Sequence, residues 1–118
     1  CEWNYKNGYQ PSLERSLIDI LFLAQKKAVD KVFINDLGGD ARTESIKADF
    51  ADRLKEKNLQ ILSGNAVMED AGQMQEMLDT RHCILLVEAG KTLYSQLEEQ
   101  IQLCEKFEIS IWGCIVID

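Results

Sequence analysis

Residues 82–88, HCILLVE, are apolar at almost every position. A strand with one wet face alternates apolar and polar residues, so a run like this needs cover on both faces. Three more short apolar runs share the chain: KVFIN at 31–35, LQIL at 59–62 and ISIWGCIVI at 109–117. Helical periods lie between them. Leu13, Leu17, Leu21, Ala24 and Ala28 mark a helix over 13–28 with Ser12 as its N-cap. Ile46, Phe50, Ala51 and Leu54 mark a second from about residue 43 to 57, ending at Asn58. Ala71, Met74 and Leu78 mark a short third. Leu93, Leu97, Ile101 and Cys104 form the stripe of a fourth, capped by Thr92, with Phe107 near its end. The order α-β-α-β-α-β-α-β predicts an α/β fold. Its form is a small, mostly parallel sheet of about four strands with helices on both faces, a P-loop or Rossmann-like three-layer sandwich. Residues 1–12 carry Asn7-Gly8, the only proline and no period, so we read them as a leading segment before a single domain over 13–118.

A chain of 118 residues, 46% hydrophobic, can bury one core without staples. Its net charge of −7 removes any sequence-wide basic field, so nucleic acid and anionic bilayers are not expected partners. Cys1, Cys83, Cys104 and Cys114 show no CxxC and no Cys/His zinc spacing. The last three fall in apolar segments and read as small core residues, which fits a reducing compartment. No apolar stretch approaches the ~20 residues of a membrane span, so the chain as given is expected to be soluble. It opens on Cys1 rather than Met. We read that as a boundary within a longer polypeptide, although a mature lipoprotein also begins with Cys.

The stretch INDLGGDARTE, residues 34–44, stands where a nucleotide enzyme carries its phosphate loop, after a strand and before a helix. That loop reads GxxxxGK[ST], its glycines letting backbone N–H groups wrap phosphate, its Lys neutralising charge and its Ser/Thr holding Mg²⁺. Aligned to it, Asp36 replaces the first glycine, Ala41 the second and Arg42 the lysine; only Thr43 survives. Asp36 and Asp40 add negative charge where a polyanion would sit, and Ala41 resists backbone geometries that glycine accepts. The structural reading is a turn in which Gly38 and Gly39 reverse the chain and Thr43 caps the next helix, with Glu44 favouring its dipole.

Other features have structural readings too. Met68, Met74 and Met77 read as gap-filling core, His82 as a strand-end residue, and Glu69, Asp70, Glu76 and Asp79 as a solvated helix face without the calcium-loop pattern. No catalytic or metal-ligating residue is assigned and no cofactor is expected. Trp3, Tyr5 and Tyr9 either pack back onto the domain or make a protein contact.

The segment RHCILLVEAGKTLYSQLEEQIQLCEKFEISIWGCIVID, residues 81–118, resembles the closing part of the bacterial tyrosine autokinases of capsule and exopolysaccharide synthesis, which are P-loop ATPases. The matching parts are the apolar strand 84–87, the turn Gly90-Lys91-Thr92, the helix through Phe107 and the final strand Trp112-Gly113-Cys114-Ile115-Val116. Upstream, residues 12–22 look like the helix before that family's first strand, and 31–54 like its strand, phosphate loop and helix. The departures fall on the catalytic parts. Ser63 and Gly64 stand where the family has Asp-x-Asp, the acidic motif before a Pro-Pro pair is missing, and so is the terminal tyrosine cluster. Loss of Mg²⁺ ligands together with the lysine removes both halves of phosphoryl-transfer electrostatics.

The resemblance therefore implies a non-catalytic, degenerate kinase-like domain serving as an interaction or regulatory module in capsular or exopolysaccharide biosynthesis. Its implied partner is a protein of the assembly complex, either a tyrosine kinase or a membrane chain-length regulator, and a homo-oligomer is admitted as well. The implied location is the cytoplasm, tethered to the inner face of the cell membrane as part of a longer protein. The alternative is a nucleotide-binding or phosphoryl-transfer domain with an atypical loop, in which Gly38 and Gly39 cradle phosphate, Arg42 replaces lysine and Thr43 ligates a metal. A flavodoxin- or receiver-type module is a third reading, and a receiver needs acids clustered at a strand end, which the sequence does not make evident.

Overall fold

The computed structural model describes residues 2–5, 10–38, 41–65, 67–88, 90, 92 and 94–117, with side chains from Arg15 onward. The chain runs β1 (Glu2–Tyr5), α1 (Gln10–Lys27), β2 (Lys31–Asp36), α2 (Ala41–Lys55), β3 (Gln60–Gly64), α3 (Ala71–Thr80), β4 (His82–Glu88), α4 (Tyr94–Lys106) and β5 (Ser110–Ile117). All four expected strands are present, and every strand pair in the sheet is parallel. The leading segment is more than a lead-in: β1 adds a fifth strand at the edge, beside β5, in the order β1-β5-β4-β2-β3. Helix α1 also starts earlier than expected, taking in Pro11 and Ser12. Proline is tolerated in a first turn because the N–H it lacks has no helical partner there.

Alternation along the central strands sorts the two cores. Val32, Ile34, Ile84 and Leu86 pack with Leu17, Ile20 and Ala24 of α1 and Phe50 and Leu54 of α2. Phe33, Cys83 and Leu85 face the other way, onto Met77 of α3 and Cys104 of α4. Burial of six consecutive residues in β4 is the outcome of that two-sided cover. In β5 the register slips by one residue, Cys83 pairing with Ile111 but Ile84 with Gly113. Trp112 is the residue skipped. It is buried with the α1/α2 cluster, and its indole Nε1–H donates to His82 Nδ1 at 3.2 Å. Burial, with help from the Lys27 charge, holds His82 below its ordinary pKa, in keeping with a neutral ring that accepts this bond. His82 is thus the structural strand-end residue the sequence suggested.

Helices α1, α2 and α4 end alike. Ala28, Asn58 and Glu108 take left-handed backbones with φ of 54°, 63° and 57°. Each donates its N–H three residues back, and the next residue donates five back: Val29 to Ala24, Leu59 to Leu54 and Ile109 to Cys104. This is the Schellman pattern, and Leu59 packs in the same core cluster as Leu54, as Ile109 does with Cys104. The expected stop at Asn58 falls in this motif. A β-carbon in the left-handed region costs roughly 1–2 kcal/mol, so Ala28→Gly and Glu108→Gly are each expected to raise the unfolding free energy by about 1 kcal/mol, read from urea midpoints. A loss of stability in both would refute the cap geometry.

Candidate functional site

The carboxyl ends of β2 and β4 lie side by side at the point where the chain's windings diverge. From β2 the chain passes through α2 to β3 on one side, and from β4 through α4 to β5 on the other. In doubly wound sheets this is where ligands bind. Counted from β2, the strand order is the flavodoxin-like 2-1-3-4-5, with the fifth place filled by the chain's first strand. The fold thereby defines a small Rossmann-like α/β domain.

Asp36 closes β2 and is fully buried. Its Oδ1 accepts from the Gly38 N–H at 2.9 Å, and its Oδ2 lies 3.0 Å from Lys47 Nζ on α2. Lys47 Nζ also reaches Glu44 Oε1 at 2.8 Å. Burial works to lower the Lys47 pKa, but Glu44 and Asp36 outweigh it and hold the ammonium above its ordinary value. From β4, the buried Glu88 approaches the same turn: a Cβ on Gly38 would stand 2.7 Å from Thr43 Cγ2 and 2.8 Å from Glu88 Oε1. Thr92 ties the two strand ends together. Its Oγ1 accepts from the Glu88 N–H at 3.0 Å and donates to the Leu37 carbonyl at 3.4 Å.

This arrangement revises several expectations. Helix α2 starts at Ala41, so Thr43 is not its cap but a buried residue of the first turn, packed against the Gly38 backbone. Thr92 serves the loop crossing, with α4 beginning two residues later. Arg42 is exposed on α2, and Gly38 is half-buried against Thr43 and Glu88. Gly39, Asp40, Lys91, Cys1 and Tyr9 lie outside the described residues, as do the side chains of Trp3 and Tyr5. Two acids of the kind a receiver-type reading needs, Asp36 and Glu88, end the neighbouring strands β2 and β4. Sequence inspection also missed Lys47. Its signal was position: Thr43, Lys47, Phe50 and Leu54 are the buried stripe of α2, with a lysine at core spacing in the second turn of the helix that follows a strand-end aspartate.

On the opposite side of β2 the buried polar pair is neutral. Asn35, 1% exposed, donates from Nδ2 to Gln100 Oε1 of α4 at 2.6 Å. Met77 is buried and Met74 partly so, as expected, but Met68 is half exposed and lines a cavity near Asn35 rather than filling core. Asp70 is more than a solvated acid, since its Oδ1 caps α3 through the Gly72 and Gln73 N–H groups. Cys83 and Cys104 are buried core residues and Cys114 half-buried, none of them in a disulfide. The neighbouring Cys104 sulfur and burial push the Cys83 thiol up, which leaves it a poor nucleophile. Among the described residues no His, Cys, Asp or Glu side chains gather as a metal site, and no helix is long and apolar enough to cross a membrane. No protein-family model, curated protein or solved structure matches this chain.

Proposed function

We propose that the chain is a non-catalytic, kinase-like α/β domain serving as an interaction or regulatory module in capsular or exopolysaccharide biosynthesis. One observation supports the non-catalytic part. Where a phosphate loop would offer N–H groups and a lysine to a polyanion, this turn holds its own buried carboxylate, Asp36, which takes up both the Gly38 N–H and the Lys47 ammonium. Glu88, buried against Gly38, adds a second negative group to the same space. A nucleotide's phosphates would meet carboxylates in a poorly hydrated setting, where like charges repel strongly.

The pathway rests on the resemblance of residues 81–118 to the capsular tyrosine autokinases. On that reading the partner is such a kinase or a membrane chain-length regulator, met on the cytoplasmic side. Titration with Mg-ATP and Mg-ADP in a calorimeter at near-physiological salt is expected to give no binding heat up to millimolar nucleotide. Micromolar affinity abolished by Arg42→Ala would overturn the non-catalytic reading in favour of an atypical phosphate loop. The pathway half is tested by following autophosphorylation of a capsular tyrosine kinase with and without the domain. An unchanged rate together with no co-elution would remove it.

A further inference from the structure

The two edges of the sheet differ in how they are protected. β1 carries Glu2 on one edge, whereas β3 on the other reads QILSG and has no charge, no proline and no bulge. Charges, prolines and bulges are what keep a free edge from pairing with another chain. The Gln60 N–H donates to the Asp30 carbonyl just before β2, at 2.8 Å. In a regular ladder alternate residues turn their N–H and C=O to opposite sides, so Gln60, Leu62 and Gly64 face β2 while Ile61 and Ser63 face outward. Ser63 is exposed and Ile61 half-buried, and among the described residues no further strand lies beside them.

We infer that β3 pairs with β3 of a second copy of this chain, antiparallel about a two-fold axis at Leu62, so that both sheets join into one. In that register Ile61 stands opposite Ser63 of the second copy, and every outward N–H and C=O of these residues meets its complement. Centring the pair on Ile61 instead would set Ser63 against Leu59, whose N–H is committed to the Leu54 carbonyl. On the axis the two copies of Leu62 meet, on the face where Leu62 and Met74 are only partly buried. Charge favours the antiparallel direction and a second copy as the occupant. At the amino end of β3, Lys31, Lys55 and Lys57 outnumber Asp30 and Glu56, and Lys55 and Leu59 line an open cleft of about 570 Å³. The connection that leaves the carboxyl end carries Glu69 and Asp70. A two-fold axis brings each acidic end to the basic end of the other copy, a local attraction set against the repulsion of two chains that each carry −7. An extended segment of another protein would need no such match between the strand's own two ends. The inference is independent of the proposed pathway and of whether nucleotide binds.

The test is sedimentation equilibrium of the whole chain under reducing conditions, paired with amide hydrogen exchange. The parent is expected to reach twice the chain mass with a micromolar-range dissociation constant, in keeping with a small interface. On dilution the Ile61 and Ser63 amides should lose protection, while Leu62, bonded to β2, keeps it. Ser63→Pro removes an outward donor, and Ser63→Lys sets a positive charge toward the basic end of the second copy. Both leave the bonds to β2 in place, so each should weaken the dimer at least about tenfold with an unchanged circular dichroism spectrum. Three results would each overturn the inference: a monomer at millimolar concentration, a dimer indifferent to Ser63→Lys, or exchange at Ile61 and Ser63 that does not depend on concentration.

Discussion

Lys47→Met is expected to unfold at a much lower urea concentration than the parent, with a loss of about 3–5 kcal/mol. The lysine side chain is 8% exposed and the Asp36 side chain 0%, so removing the ammonium leaves a carboxylate deep in the domain with its main counter-charge gone. Glu44, at 59% exposure, can turn to water and loses little. The loss comes from stranding a buried charge, and neutralising Asp36 should therefore repair part of it. Asp36→Asn keeps an oxygen for the Gly38 N–H, and in the Lys47→Met background it should recover more than half of the deficit. On its own, Asp36→Asn should cost less than Lys47→Met, because Glu44 still holds the ammonium. The pair also sets an alkaline limit. A lysine whose folded pKa lies above its ordinary 10.5 contributes fully below that value and loses its contribution as pH rises through the folded pKa. The parent should therefore lose stability on an alkaline limb that Lys47→Met lacks. If Lys47→Met falls within 1 kcal/mol of the parent, the pair carries no net stability and the account of the turn fails.

The same residues show what the sequence could reveal. The strands β2 to β5 were legible as short apolar runs, continuous in β2 and β4 where burial is double-sided, and the helices because each keeps one apolar face. The edge strand β1 was not, since the sequence of residues 2–5 has no period and the pairing with β5 runs through backbone atoms. The loop after β2 was found by its position, while the buried lysine beside it was not. A motif comparison looks at Gly38, Arg42 and Thr43, whereas the group that meets the strand end comes from Lys47, a full turn into the helix. Asn35 and Gln100 are 65 positions apart, and neither interrupts its element's pattern enough to announce a contact. Gln100 does lie on the buried side of α4, three residues after Leu97 and four before Cys104. A polar residue on a core stripe was thus the common signal for Lys47 and Gln100, and amphipathic reading passes over it because it counts only the apolar members.

Phe33→Ala and Phe50→Ala are each expected to cost about 3–5 kcal/mol, a large part of the 5–15 kcal/mol that holds a domain of this size together. Both rings are fully buried, but in different layers: Phe50 projects from α2 into the α1/α2 core, and Phe33 from β2 into the α3/α4 core. The two layers share one sheet, whose central strands place alternate residues in each. A cavity on either face weakens the strands that the other face packs against, so either substitution should lower a single unfolding transition rather than split it. Circular dichroism and tryptophan fluorescence should then give coincident urea curves for both variants. Read in a Trp3→Phe background, fluorescence is informative because Trp112 packs in the α1/α2 layer, whereas Phe33 belongs to the other cluster. If helix signal is lost in Phe33→Ala while Trp112 still reports a native environment, the α3/α4 layer unfolds by itself. That result would make it a separable unit, with the α1/α2 layer holding the sheet on its own.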